Sequence, residues 1–353
     1  MKNLDKYLSL LGSEVDGLLL TSRYSRHYGA EFDIAEGVAI VTKKGCRYFT
    51  DSRYIESAQN GIQGFEVLCV DKISYNKLLN DAIADFGVTN LGYEEVYLTV
   101  AEFMGYEKAL NAKLVPFNAK IAGFRGVKED WELDNMRKAQ AIADKAFAEV
   151  LPRIKVGMSE LELQAELIYC MYKNGAHGLS FDPIVVSGPN TSMPHGVAGE
   201  RKIQAGDFIT MDFGTLYNGY CSDMTRTVAV GCVTEEMEKV YNTVLEAQKA
   251  GLAITKAGTI GQEIDGAARK LIADAGYGDY FGHGYGHSLG LEIHENPSPN
   301  ARNTEPMPLH AVASAEPGIY LPGKFGVRIE DSVIYTEDGY ENLCTSPKNL
   351  IIV

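Results

Sequence analysis

The strongest constraint on how this chain folds is a pair of apolar-rich runs joined by Asn218-Gly219. Phe208-Ile-Thr-Met-Asp-Phe-Gly-Thr-Leu-Tyr217 leads in, and Tyr220-Cys-Ser-Asp-Met-Thr-Arg-Thr-Val-Ala-Val230 leads out. Asn-Gly suits a two-residue turn with both φ angles positive, whose twist matches antiparallel strands. The turn then sets the register. Asp212 faces Thr225, and Asp223 lies two residues along on the same face. The two carboxylates project to one side as diagonal neighbours, about 7–8 Å apart at the backbone. On the apolar face of a central hairpin they are costly unless a positive group sits between them.

A second hairpin is predicted near the end of the chain, from Ala313–Tyr320 and Val327–Tyr335 around Leu321-Pro-Gly-Lys-Phe325. Its register sets Glu316 directly opposite Glu330. Like charges in that position destabilise a sheet unless a shared proton, an arginine such as Arg328, or a metal relieves them. Upstream lies Phe281-Gly-His-Gly-Tyr-Gly-His-Ser-Leu-Gly-Leu-Glu-Ile-His-Glu295, which holds three of the seven histidines: His283, His287 and His294. Clustered imidazoles among glycines point to metal binding or proton transfer, because glycine lets backbone approach a site closely. His195 sits apart, in Ser192-Met-Pro-His-Gly196. One histidine with four carboxylates is an oxygen-rich ligand set suited to two divalent ions sharing carboxylates.

The flanking sequence predicts helices. Leu133, Met136, Ala139, Ala143, Ala146, Phe147 and Val150 share one face, and Pro152 ends that helix. Ser159-Glu-Leu-Glu162 fits a capping box opening a second helix, with Gly175 as its stop. Further helices are expected over Glu235–Ala250 and Ile260–Ala275. Helices combined with antiparallel hairpins make this part α+β. The first ~120 residues alternate short apolar runs with helical spacing. Examples are Gly17-Leu-Leu-Leu-Thr21, Gly37-Val-Ala-Ile-Val-Thr42 and a helix over Tyr75–Phe86, the pattern of a smaller α/β domain. The break near Asn118–Val127 sets the expected domains at 1–122 and 123–353.

The chain has 353 residues, 45% hydrophobic and 23% charged, enough for two globular domains. Thirty-three basic and 47 acidic residues give a net charge of −14, which argues against nucleic acid as a partner. No apolar run approaches the ~18 residues of a membrane span. The opening Met-Lys-Asn-Leu-Asp-Lys-Tyr has no signal-peptide pattern. Six scattered cysteines without a Cys-x-x-Cys motif fit reduced thiols in a cytoplasmic protein.

With these motifs assembled, the chain resembles the dinuclear metallopeptidases of the pita-bread fold, the family of methionine aminopeptidase, Xaa-Pro aminopeptidase and prolidase. Met-Asp-Phe-Gly, Ser-Asp-Met-Thr-Arg-Thr, Gly-His-Ser-Leu-Gly-Leu-Glu-Ile-His-Glu, Glu-Pro-Gly-Ile-Tyr and Val-Arg-Ile-Glu-Asp all match in the family's order. The resemblance implies a C-terminal pita-bread catalytic domain. It also implies that Asp212 chelates one metal, that Asp223 and Glu330 bridge two, and that His287 and Glu316 complete the other shell. A hydroxide held between the metals would attack the scissile carbonyl, with Glu316 as proton shuttle. His195 and His294 would contact substrate and stabilise the oxyanion. His283 would sit near the proline-side pocket, and Thr225 and Arg328 would hold the carboxylates in place. Manganese is the expected metal, with cobalt, zinc or iron as alternatives.

The first ~120 residues resemble the N-terminal domain of the proline-specific branch and of creatinase, best at Asp51-Ser-Arg-Tyr54. In relatives this domain helps dimerise the protein and favours short peptides, so a homodimer acting on peptides with proline second is expected. The Asn-x-x-Tyr-Leu-x-Gly-Phe segment of many relatives is represented only by Ser25-Arg-His-Tyr-Gly-Ala-Glu-Phe32. Prolidase-like relatives often carry an arginine after the proline of His-Glu-x-Pro, whereas here His294-Glu-Asn-Pro297 is followed by Ser298, with Arg302 nearby. That departure favours an Xaa-Pro aminopeptidase over the alternative, an Xaa-Pro dipeptidase. Metal-free creatinase-like hydrolysis and a non-catalytic binding protein are the remaining alternatives.

Overall fold

The computed structural model describes residues 3–71 and 73–353. Met1 and Lys2, part of the opening stretch in which no signal peptide is read, lie outside the described residues. The chain divides into two compact units, Met1–Arg125 and Gly126–Val353.

In the first unit α1 (Asn3–Ser9), β1 (Gly17–Leu20) and α2 (Arg23–Ala30) lead into a hairpin of β2 (Val38–Thr42) and β3 (Gly45–Thr50). Then follow α3 (Ile55–Gly61), β4 (Glu66–Cys69), α4 (Tyr75–Phe86), β5 (Asn90–Tyr93), α5 (Val100–Ala109), β6 (Lys113–Pro116) and α6 (Asn118–Gly123). The strands form one mixed sheet in the order β4-β3-β2-β1-β5-β6. The apolar spacing of α4 has its expected consequence, because Leu79, Ala82 and Ile83 are buried. Ser74 caps that helix by accepting from the Lys77 amide. These side chains share a core with Leu19, Ile40, Phe49 and Leu91 of the sheet.

The second unit opens with α7 (Asp130–Val150) and α8 (Glu160–Lys173), the latter capped by the expected Ser159–Glu162 box. After them come β7 (Gly178–Leu179), β8 (Ile184–Ser187), β9 (Phe208–Phe213), β10 (Thr215–Tyr217), β11 (Tyr220–Cys221) and β12 (Met224–Ala229). Strand parity divides β9 between two environments. Ile209, Met211 and Phe213 join the core beneath α7 and α8, while Asp212 turns to the other side. The remaining elements are α9 (Glu235–Leu252), α10 (Gly261–Asp274), β13 (Val312–Ala315), β14 (Gly318–Leu321), β15 (Phe325–Arg328), β16 (Asp331–Tyr335) and β17 (Tyr340–Asn342). They enclose a second core, in which Val240, Val244, Ile264 and Ala268 meet Ala313, Ile319, Val327 and Val333.

Both predicted hairpins keep their registers, but each is broken where its carboxylates lie. Asp212 pairs with Thr225 in β9–β12, and Tyr217 pairs with Tyr220 in β10–β11. Asn218 and Gly219 take φ of 48° and 80°, as the turn requires. Between the two ladders the chains pinch together at Gly214, where a Cβ would lie 1.8 Å from the Ser222 carbonyl oxygen. In the second hairpin Gly318 pairs with Arg328 and Ala315 with Asp331. The expected direct pairing of Glu316 with Glu330 is not made. The Glu316 amide donates to Tyr285 O at 2.7 Å, and the Glu330 amide donates to Thr225 O at 3.1 Å. The backbone leaves the ladder there and so avoids facing two like charges across it.

Candidate metal centre

The two broken hairpins and the glycine–histidine loop meet in a cleft of ≈880 Å³. Asp212, Asp223, His287, Glu316, Glu330, His195, His283, His294 and Arg328 all line it. The tightest group is Asp223, His287 and Glu330, with one ligand atom of each within 4.8 Å of the others. His287 Nε2 lies 3.4 Å from Asp223 Oδ2 and 3.3 Å from Glu316 Oε1. A short antiparallel contact between Ser288 and Glu295 closes the loop, so the His287 and His294 rings stand 4.4 Å apart although they are seven residues apart in sequence.

Hydrogen bonds orient the carboxylates individually. Thr225 Oγ1 donates to Glu330 Oε2 at 2.6 Å and accepts from Arg328 Nε at 3.1 Å. Arg328 Nη2 donates to Asp212 Oδ2 at 2.5 Å. The hydroxyl of Ser314 donates to Glu316 Oε1 at 3.0 Å and accepts from the His287 amide at 2.9 Å. Thr225 lies on the clamp, but Arg328 relieves Asp212 rather than the Glu316–Glu330 pair. His283 Nε2 meets the Tyr320 hydroxyl at 2.8 Å, and that hydroxyl also accepts from Arg328 Nη1 at 2.8 Å.

After these bonds are made, Asp212 Oδ1, Asp223 Oδ1 and Glu330 Oε1 remain buried with no hydrogen-bond partner among the described residues. Burial raises the pKa of all three acids. Asp223 is pushed up to about 7, with the Asp212 charge reinforcing the shift, and Glu330 is raised well above the usual range, with Asp223 adding to it. Arg328 opposes the rise at Asp212. For His287 burial favours the neutral ring, but Asp223 and Glu316 outweigh it and carry the pKa up to about 9. Burial lowers His294, helped by the neighbouring His287. Buried carboxylate oxygens left without a partner in a cleft shared with an imidazole make a costly arrangement without a cation, and they are the donors a hard divalent ion prefers. The residues present fit a bound divalent metal.

Some contributors escape sequence reasoning. Tyr320 and Ser314 share strand parity with Glu316, and that spacing was the available signal. Lys128 gave none. It is buried and pairs with Glu295 at 2.9 Å, beneath the loop that carries His294.

A buried acidic and imidazole centre in an α+β unit defines the class, a protein built around a divalent-metal site. The profile of Metallopeptidase family M24 matches residues 134–337, and that of the Creatinase/Prolidase N-terminal domain matches residues 1–127. The chain belongs to this family, in its proline-specific pita-bread branch. It is 40% identical to the peptidase YqhT of Bacillus subtilis over 99% of each chain. The solved Xaa-Pro dipeptidase from Bacillus anthracis is 41% identical, with a TM-score of 0.96 over 100% of this chain and 99% of that one. An X-Pro aminopeptidase from Thermotoga maritima is 36% identical, with a TM-score of 0.92 over 98% and 99%.

Proposed function

We propose that the protein hydrolyses the bond between an N-terminal residue and proline, with Xaa-Pro dipeptides as its principal substrates. The observation that carries the hydrolytic reading is the convergence of three orphaned carboxylate oxygens with His287 and Glu316 in one cleft. In this reading Asp212, Asp223, His287, Glu316 and Glu330 would hold the divalent ions directly, with His287 and Glu316 serving the ion that Asp212 does not. Manganese suits this mostly hard donor set, and cobalt, zinc or iron fit the same ligands. Such ions supply a Lewis acid and water ionised near neutral pH.

The protein groups divide the remaining tasks. Arg328 fixes Asp212, and Thr225 fixes Glu330, so neither carboxylate has to reorganise during the reaction. Ser314 occupies Glu316 Oε1, which leaves Oε2 to take a proton and return it to the departing proline nitrogen. His195 and His294 line the cleft and are placed to donate to the substrate oxygens. Phe181 and Ile293 give the cleft apolar walls. A tertiary amide offers no N–H to a ladder and is recognised by shape instead.

The absence of an arginine after Pro297 predicts longer peptides as substrates. The relatives carry both names, and one structural feature favours the dipeptide. Arg302 lines the cleft, and its guanidinium has no side-chain partner among the described residues. A free carboxylate one residue beyond the scissile bond would give it one. Comparing kcat/KM for Xaa-Pro and Xaa-Pro-Yaa tests this. The dipeptide should be preferred, and Arg302→Met should reduce that preference about 10–100-fold. Equal or better cleavage of the tripeptide by the wild type supports the aminopeptidase instead. Asp223→Asn should lose both metal and activity; a metal-free variant at full activity would sink the hydrolytic reading.

We further propose a homodimer in the cytoplasm. All six cysteines are unpaired, and no described helix is long and apolar enough to cross a membrane. Sedimentation at micromolar concentration decides the oligomeric state.

A further inference from the structure

The loop that carries His195 leaves β8 at Ser187 and returns past Gly199. Pro194, His195, Gly196 and Val197 form part of the cleft wall, and His195 itself is exposed. The middle of the loop is held to the neighbouring hairpin, where the Gly326 amide donates to Thr191 Oγ1 at 2.8 Å and Arg328 Nη1 to the Pro194 carbonyl at 3.3 Å. The root of the loop is tied to one carboxylate. Glu160, the first residue of α8, is 1% exposed and has no ion-pair partner among the described residues. Its Oε1 accepts from the Ser187 amide at 2.7 Å, the Ser187 hydroxyl at 2.9 Å and Asn190 Nδ2 at 3.0 Å. Its Oε2 accepts from the Gly199 amide at 3.0 Å. One side chain therefore bonds to both ends of the loop.

A second layer lies below. Arg201 Nη1 donates to Ser187 Oγ at 2.6 Å, and Arg201 pairs with Asp207. Gly188, at φ 52°, leaves room for this pair, since a Cβ there would lie 2.4 Å from Arg201 Nη2. A buried carboxylate would be an expensive way to cap a helix that Ser159 already caps. The donors at both loop ends account for it instead.

We propose that Glu160 is a positioning residue that holds the 187–199 loop and thereby fixes His195 against the reacting bond. This rests on the reading of His195 as a substrate contact. Glu160→Gln keeps the shape but replaces one acceptor oxygen with a donor that opposes the loop amides. In the metal-loaded protein, hydrogen exchange across 188–198 should accelerate at least about tenfold, with α8 unchanged. Metal content and KM should stay near wild type, while kcat falls about 10–100-fold. The variant should be non-additive with His195→Asn, the double variant matching the worse single one within about twofold. It should be additive with His294→Asn. If Glu160→Gln destabilises the fold, Asn190→Ala removes a single tie and should give the same pattern at smaller amplitude. Unchanged loop exchange, or additivity with His195→Asn, overturns the proposal. If His195→Asn matches wild type, the reading of His195 falls instead, and loop exchange alone decides whether Glu160 ties the loop.

Discussion

The hydroxyl of Thr225 donates to Glu330 and accepts from Arg328, so one small side chain aligns an acid and a base that serve different parts of the centre. Thr225→Val keeps the shape and removes both bonds, leaving a buried carboxyl and a buried guanidinium each short of one partner. It should cost about 2–3 kcal/mol in metal-free denaturant unfolding and weaken metal binding, while Thr225→Ser should restore most of both. His27 in the first unit makes a pH prediction. Burial pushes its pKa from 6.5 down to about 4, with Asp33 only partly opposing. The unfolded chain therefore binds a proton that the folded one refuses. Stability falls as pH drops from 6.5 toward 4, by up to about 3 kcal/mol. Urea unfolding followed by far-UV circular dichroism should show this slope, and His27→Gln should flatten it.

At the scale of elements, the pinch at Gly214 lets one hairpin contribute two ligands. Gly214→Ala would drive a methyl group into the Ser222 carbonyl, and neither backbone can yield without moving Asp212 or Asp223. A loss of about 3 kcal/mol is expected, with a matching drop in metal stoichiometry by elemental analysis. The strands on either side were legible in sequence, because Asn218-Gly219 dictates the turn and the turn dictates the pairing of Asp212 with Thr225. The interruption was not legible, because it arises from two backbones meeting at Gly214. Glu316 and Glu330 show the same limit. Their opposition followed from the register, whereas their release from the ladder depends on Tyr285 and on Thr225, distant in sequence from the Glu they hold. Glu160 was hidden for another reason. Within Ser159-Glu-Leu-Glu162 it looks like an ordinary acid in a first helical turn, and only the folded loop supplies its donors.

Over the whole molecule, the single tryptophan lets the second unit be followed on its own. Trp131 lies on α7 with its ring against Tyr220, inside the Gly126–Val353 unit. Metal bound to the native centre stabilises that unit by mass action, about 2.7 kcal/mol at a hundredfold excess over Kd. Tryptophan fluorescence should therefore report a lower unfolding midpoint when a chelator is added. A midpoint indifferent to chelator would mean that the carboxylates hold no ion of consequence. A single free energy fitted to both units together would blur this effect, because chains of two units need not unfold in one step.

The broken hairpins also determine which changes in chain length the centre can absorb. Residues added at the tips, between Tyr217 and Tyr220 or within Leu321–Phe325, lengthen a turn beyond the ligands and leave their phase intact. A single residue inserted between Asp212 and Gly214, or between Glu316 and Gly318, would shift the pinch or the pairing by one position. Alternation would then turn a ligand toward the opposite core. Drift in loop length should accordingly be permitted at the tips and forbidden within a few residues of each break, so that the gaps in the ladders are the most length-invariant parts of the chain.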